Sequence, residues 1–524
     1  MTLQLGPVDL AVLFLYFASM IGIGLYVSRR NTGTDQYFLG GRSFSGVVVG
    51  ISLIGSLISS VTFIAAPADA FKTTWIRFLP NLAFPLVAVI AAVFFIPFFR
   101  RGTISSAYGY LRARFGASLS AYAAVLFLFS QLFRISMILY LLSVLVQSIL
   151  GLDFLVSLLL TGGITAFYTV KGGYAAVVWT DVIQTILLLL GALLCVFVAV
   201  GHVPGGFGQV LREGIESHRL SFWDAGPDGT LHPLPEGLSL LHKTVMMLVL
   251  VGFVQFLTGM LDQATVQRWV SARSAADARK GVLILGFGCV PIWGTFKLLG
   301  TTLFVYFSHH PAPIPTEILA GARKAEQIVP YFIVTHLPRG IAGLVLAGAF
   351  ASAMSAVSAG INAASMVWVR DLYGTFLAPR RSDKHYVRVG FATSFLISVL
   401  MIGGGYLIYL SKAVTLLDLW LEITAFLFAG IPAVFLLGMF TRRAGSGAVW
   451  CGLAVSIAFV GWVTAGRLGA LPAAWRLPIE VYYTAIVGNA LVLAVGLFAA
   501  WLRPAAPRPL ENLTVWDQTS RPLE

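Results

Sequence analysis

The sequence predicts an all-α polytopic membrane protein of about thirteen transmembrane helices, on three observations. Of its 524 residues, 58% are hydrophobic and only 11% are charged, and the mean hydropathy is +0.86. A soluble chain of this size would carry about a quarter charged residues, so the aqueous globular class is excluded. Apolar runs of about 20 residues, the length of helix that crosses a ~30 Å hydrocarbon core, recur along the whole chain and leave no room for a soluble catalytic domain. Cys195, Cys289 and Cys451 sit singly inside apolar runs, which offers neither a disulfide framework nor a paired-cysteine metal site and predicts inert buried thiols.

Taken in order, the spans are 8 to 27, 45 to 71, 77 to 99, 118 to 148, 154 to 170, 178 to 200, 241 to 266, 281 to 307, 340 to 369, 389 to 410, 415 to 438, 446 to 466 and 481 to 502. They make one transmembrane domain, 1 to 502, with an extra N-terminal helix at 8 to 27, extra C-terminal helices within 446 to 502, and a tail from 503 to 524. Lys and Arg set the sidedness. One set of loops holds Arg29, Arg30, Arg42, Arg100, Arg101, Arg112, Arg114, Lys171, Arg268, Arg273, Arg279, Lys280, Arg370, Arg380, Arg381, Lys384, Arg388, Arg442 and Arg443. The opposite loops hold about half as many, although they include the two longest, near 201 to 240 and 308 to 339. The positive-inside rule puts the first set and the C-terminus in the cytoplasm and the N-terminus outside. The formal net charge of +13 then reads as loop bias, and no nucleic-acid module interrupts the spans. The start, MTLQLGPVDL, lacks a basic n-region and a small-residue cleavage site, so the first span reads as a retained helix. The Pro-rich, polar tail reads as a disordered cytoplasmic end.

Two basic residues fall inside hydrocarbon. Arg134, in QLFRISMILYLL, must face protein or water, because an arginine at mid-helix costs between ~3 and ~17 kcal/mol. It either orders the bundle through a buried salt bridge or carbonyl clamp, or it awaits an anionic solute whose carboxylate fits its planar fork. Lys297, in the eighth span, reads as snorkelling or pairing with Asp418 or Glu422.

In the second span Gly55, Ser59 and Thr62 share one helical face, with Pro67 just beyond. The ninth repeats the device with Ser352, Ser355, Ser358 or Ala359, and Asn362. Such stripes either let helices approach closely or mark an unwound helix lining a midplane site. A sodium ion wants several oxygens at close range, which carbonyls and hydroxyls supply without burying another full charge. Gly172-Gly173 breaks the chain between spans five and six, and Asp181 follows on the first turn of the sixth. That carboxylate either favours the helix dipole or serves a cation.

At these residues the chain resembles the solute:sodium symporter family, from about Asp35 to Arg443. The resemblance rests on DQYFLGGRS after the first span, GGYAAVVWTDVIQ at 172 to 184, VQRWVSARSAADARKG after the seventh, and a small-residue ninth helix ending at Arg370-Asp371-Leu372-Tyr373. Within the family it looks most like the bacterial sialic acid symporters, through PADAF at 67 to 71, IPFFRRGTISSAYGYLRARFG at 96 to 116 and the arginine of the fourth span. The resemblance implies a LeuT-type core of two inverted five-helix repeats, 45 to 200 and 241 to 438. It implies a main sodium site from the carbonyls of Gly55, Ile58 and Ser352 and the hydroxyl of Ser355, with Ala356 where the family has a second hydroxyl. A second sodium site would use Asp181, Ser355 and Ser358, with Ala359 replacing its last serine. For the solute it implies that Arg134 holds a carboxylate, that Ser59, Thr62 and Asn81 match polar positions of the pocket, and that Gln255 of a broken seventh helix joins them.

The expected function is therefore sodium-coupled import of a small organic solute, a carboxylate-bearing sugar such as sialic acid, by rocking of a four-helix bundle (spans two, three, seven and eight) against the rest. A neutral sugar, polyol or short monocarboxylate, and proton coupling through Asp181 or Glu422, stay open as alternatives. An enzyme is not expected: the eight histidines lie mostly in loops or near span ends, and no nucleophile or paired carboxylates sit at depth. A sensor would need an output domain, which the short tail does not offer.

Overall fold

The computed structural model describes residues 5–29, 33–101, 106–225, 230–411, 430–480, 483–504 and 510–517. Helix dominates because, within hydrocarbon, each backbone polar group must be satisfied inside its own segment. Among the described residues nine helices are long and apolar enough to cross a membrane, and two bent pairs make further spans. Their outward faces carry large apolar side chains such as Phe14, Phe129 and Phe197, exposed as a lipid-facing surface requires.

The second span breaks into Gly46–Leu57 and Val61–Lys72, bent by 66°, and the seventh into Val245–Met260 and Gln263–Ser271, bent by 56°. The predicted fifth and sixth spans form one helical stretch, Phe154–Gly201, kinked at Gly173 (φ 61°, ψ −160°). Its 48 residues, at ~1.5 Å each, reach more than twice across the hydrocarbon. Only glycine serves at the kink, since a Cβ there would lie 2.9 Å from the Tyr37 ring in a backbone region L side chains avoid. The eleventh predicted span lies largely outside the described residues, which resume with Ile431–Phe440.

Spans two, three, seven and eight pack as one unit. Gly252 leaves no room for a Cβ against Pro80 O, and Gly300 none against Pro67 O. Phe84 stacks on Phe256 at 4.2 Å, and Phe256 on Trp293 at 5.5 Å, tying spans three, seven and eight. At one end Phe44 bridges Ala272, Asp277 Oδ1 accepts from Gly46 N at 2.7 Å, and Arg100 donates to Ala272 O at 2.9 Å. Lys297 donates to Asp69 of the second span, which also pairs with Arg77 at 3.2 Å. This corrects the expected partner of Lys297: Asp69 holds it, and Asp418 and Glu422 lie outside the described residues.

The first span is fastened to the ninth helix, Ile341–Met366, by Asp9, a buried carboxylate that accepts from Gly340 N at 2.7 Å and Gly343 N at 2.8 Å. It thereby satisfies amide donors that a helix start leaves unpaired.

Three further expectations need correction. Arg114, counted with the loop charges, is fully buried and donates to Gly438 O at 3.1 Å and Thr441 O at 2.8 Å, closing the end of Ile431–Phe440. Cys195 and Cys289 are buried, but Cys451 is exposed. The tail is not disordered throughout: residues 510–517 form a strap in which Val515 N donates to Met439 O at 2.9 Å and Tyr110 Oη to Leu513 O at 3.1 Å. Asp517 locks the strap by pairing with Arg442 at 2.9 Å.

Thr514 and Arg442 hold the Asp517 carboxyl below its ordinary range. Its contribution is present above that ordinary pKa and lost as pH falls through the depressed one. Asp517→Asn should speed amide exchange across residues 513–516 about two- to five-fold at neutral pH, as an exposed pair allows. Unchanged exchange by mass spectrometry would show that the backbone bonds hold the strap alone.

Candidate functional site

The helix of the second span ends because Ile58 turns extended (φ −84°, ψ 114°). Apolar residues flank the break, yet Ser59 and Ser60 occupy it, and the chain re-enters a helix at Val61. The break strips partners from the preceding turn: the carbonyls of Gly55 and Ile58 accept no hydrogen bond from the described residues. Unpaired carbonyls are costly away from water, so the site has free oxygen ligands at this depth. The ninth helix passes close by, since a Cβ on Gly55 would come within 3.0 Å of Ser355 Oγ. Ser352 and Ser355 are buried on that helix, and Gly55 lies beside Ser355, so these residues of the predicted main sodium site are brought to one place. Carbonyl and hydroxyl oxygens are the donor set a hard cation takes.

Arg134 reaches the same break from the fourth span. Its Nη2 donates to Ser56 O at 3.2 Å, and among the described residues it makes no ion pair. It is only partly buried. Asp262, at the break of the seventh span, attracts it electrostatically but spends Oδ1 on Ala264 N at 2.8 Å as a helix cap. The arginine is therefore a cation between two broken helices with most of its five donors uncommitted.

Ser59, Thr62, Asn81 and Gln255 make no side-chain hydrogen bonds among the described residues; Ser59 is buried, Thr62 and Asn81 are half-buried and Gln255 is exposed. Ser59 and Thr62 lie in or beside the break that Arg134 touches. Asn81 and Gln255 sit on the packed third and seventh spans, near the Phe84–Phe256 stack. No hydrogen bond among the described residues joins these four to Arg134.

The residues predicted for a second cation site are also contiguous, with a partner sequence reasoning missed. Asp181 is completely buried and accepts from Ser52 Oγ at 2.7 Å, Ser355 Oγ at 2.6 Å and Arg268 Nη2 at 2.8 Å. Ser358 Oγ donates to Ser355 O at 3.0 Å. Arg268, counted above as a loop charge, is 1% exposed and also donates to Ser52 Oγ at 3.0 Å and Ala264 O at 3.0 Å. No signal in the sequence marked it: the residues three away, Thr265 and Ser271, are polar, and a basic residue near a helix end already satisfies the positive-inside rule. Beside this pair Gln267 donates to Asn362 Oδ1 at 2.7 Å and to Phe38 O at 2.5 Å, a network that neither stripe revealed.

Two bent spans in one bundle, with unwound carbonyls and a cation at the breaks, define a secondary carrier. The model of the sodium:solute symporter family matches residues 37–454. The chain belongs to the sodium:solute symporter family. It is a multi-pass membrane transporter and not an enzyme. The sodium/sialic acid symporter SiaT of Proteus mirabilis is 27% identical over 514 residues, covering 97% of this chain and 98% of its own. The mouse sodium-coupled monocarboxylate transporter 1 is 28% identical over 492 residues, covering 91% of this chain and 77% of its own. The solved structure of a Na+-coupled sialic acid symporter, substrate-bound and outward-open, superposes with a TM-score of 0.84 at 27% identity, covering 96% of this chain and 99% of its own. The LeuT-type fold expected from the resemblance is thereby the fold of this chain. Relatives with different solutes match at similar identity, so the solute has to be argued from the site.

Ser355 belongs to both predicted groups of ligands. Ser355→Ala should raise the sodium concentration for half-maximal uptake by about ten-fold or more, the effect expected for a group that completes a cation shell. Sodium-dependence curves in proteoliposomes check it, and an unshifted curve removes Ser355 from the coupling machinery.

Proposed function

We propose that the protein imports sialic acid, or a sugar acid of the same carboxylate-bearing kind, together with sodium. The observation that carries this reading is the single carbonyl engaged by Arg134: a guanidinium at membrane depth, without an acid paired to it among the described residues. Arg268 and Lys297, the other basic residues buried at this depth, are each held by a carboxylate. A solute carboxylate would occupy the fork, while Ser59, Thr62, Asn81 and Gln255 offer hydroxyls and amides to the remaining oxygens.

Sodium, as co-substrate, would take the carbonyls of Gly55, Ile58 and Ser352 and the hydroxyl of Ser355. Binding there would draw the broken second helix against the ninth and order Ser59 and Thr62 for the solute. The alternating unit would be the packed four-helix bundle, with repeats running from 45 to 200 and from 241 to 438, each opening on a bent span. The membrane potential would add ~2.3 kcal/mol per charge per 100 mV to the inward gradient. Proton coupling through Asp181 needs a carboxylate free to change its charge, and three donors already engage this one.

Uptake by proteoliposomes under an imposed sodium gradient tests the reading with N-acetylneuraminate, glucose, inositol and pyruvate. The sugar acid should accumulate and the others should not compete. Accumulation of glucose or inositol at equal rates would sink the carboxylate reading. Uptake that persists without sodium and collapses with the pH gradient would sink the coupling.

A further inference from the structure

We propose that a groove at the end of the thirteenth span binds the phosphate headgroup of an anionic phospholipid from the leaflet that meets it. The groove, of about 450 Å³, is lined by Arg442, Arg443, Leu497, Trp501 and Trp516 among others. Its construction follows from three chain ends meeting at one level. The helix Ile431–Phe440 stops where Thr441 turns extended (φ −123°, ψ 141°), which throws two consecutive arginines off its end. Thr484–Leu502 stops beside it, so Leu497 lies within the span and Trp501 at its boundary. The strap closes the third side, with Trp516 Nε1 donating to Phe440 O at 2.9 Å.

The lining grades from apolar to aromatic to cationic along the span, the order in which a lipid presents acyl chain, glycerol and phosphate. The charge is also matched. Asp517 neutralises Arg442 at 2.9 Å and fixes it in the wall. Arg443 is exposed and, among the described residues, takes part in no ion pair. Arg443 therefore leaves the lining with a positive charge unmatched by a carboxylate among the described residues, which a phosphodiester without a cationic headgroup can meet. A zwitterionic lipid brings its own ammonium and gains less. Trp501, also exposed, offers at this boundary an indole with an apolar body and an N–H donor, the side chain suited to a lipid's glycerol level.

The test uses the full chain purified in detergent. Native mass spectrometry should retain dioleoylphosphatidylglycerol in preference to dioleoylphosphatidylcholine, and Arg443→Gln should weaken that retention about five-fold, the effect of one basic residue at a lipid surface. Since Arg443 holds no ion pair with the described residues, the variant should melt with the parent. In vesicles, phosphatidylglycerol brominated on its acyl chains should quench tryptophan fluorescence, and Trp501→Phe should remove part of that quenching. Equal retention of the two lipids, or retention and quenching unchanged in both variants, overturns the proposal. Competition by glycerol 3-phosphate at matched concentration overturns the lipid assignment in favour of a free phosphate.

Discussion

Arg134→Ala is expected to raise the half-saturating concentration of sialic acid by about a hundred-fold. A charge-assisted, two-pronged contact to a carboxylate is worth ~2–5 kcal/mol when one partner is removed from a sheltered site, and about 2.7 kcal/mol is a hundred-fold. Arg134→Lys keeps the charge but loses the planar fork, so an intermediate loss of about ten-fold is expected. The melting temperature should stay near that of the parent, because a single bond to Ser56 O ties the guanidinium to the protein. Uptake kinetics and a melting curve in the same preparation separate the roles. A variant that carries the sugar acid with parental affinity, or that no longer folds, would make Arg134 a structural residue and remove the argument for an anionic cargo.

Arg268→Ala should do the opposite: its main effect falls on stability. Removing one member of a buried ion pair leaves the other charged and unpaired, at a cost of ~3–5 kcal/mol. Asp181 would keep only the hydroxyls of Ser52 and Ser355. The double replacement Arg268→Ala, Asp181→Asn removes both charges and should recover most of the lost melting temperature. Its sodium dependence then reports what Asp181 contributes to coupling apart from folding. If the single variant melts with the parent, or the double variant melts no higher than the single, the pair does not hold the second, sixth and seventh spans together.

These two arginines also mark where sequence reasoning works and where it stops. Arg134 was legible because it interrupts a long apolar helix, where the cost of a charge forces a reason. Arg268 was not, because a basic residue near a helix end satisfies the positive-inside rule equally well in water and in a core. Lys297 shows the same limit: its depth was evident, but its partner Asp69 comes from the second span, more than two hundred residues away, and neither residue names the other. The tail misled for a related reason. Its composition suits a disordered end, yet Asp517, Trp516 and the backbone of Val515 find partners that exist only once residues 437–443 are folded beside them.

What the sequence determined by itself is the set of features written into short stretches of chain: apolar runs long enough to span, the break at Gly172-Gly173, and the stripes of small and hydroxyl residues. Each depends on local backbone chemistry or on the cost of polar groups in lipid, which neighbours a few residues away decide. Only the tertiary structure decided which charge meets which, that Ser355 stands between Gly55 and Asp181, and that Arg134 makes no ion pair among the described residues. Those outcomes depend on how helices distant in the chain pack, and electrostatic pairing follows distance in space, which the order of residues does not specify.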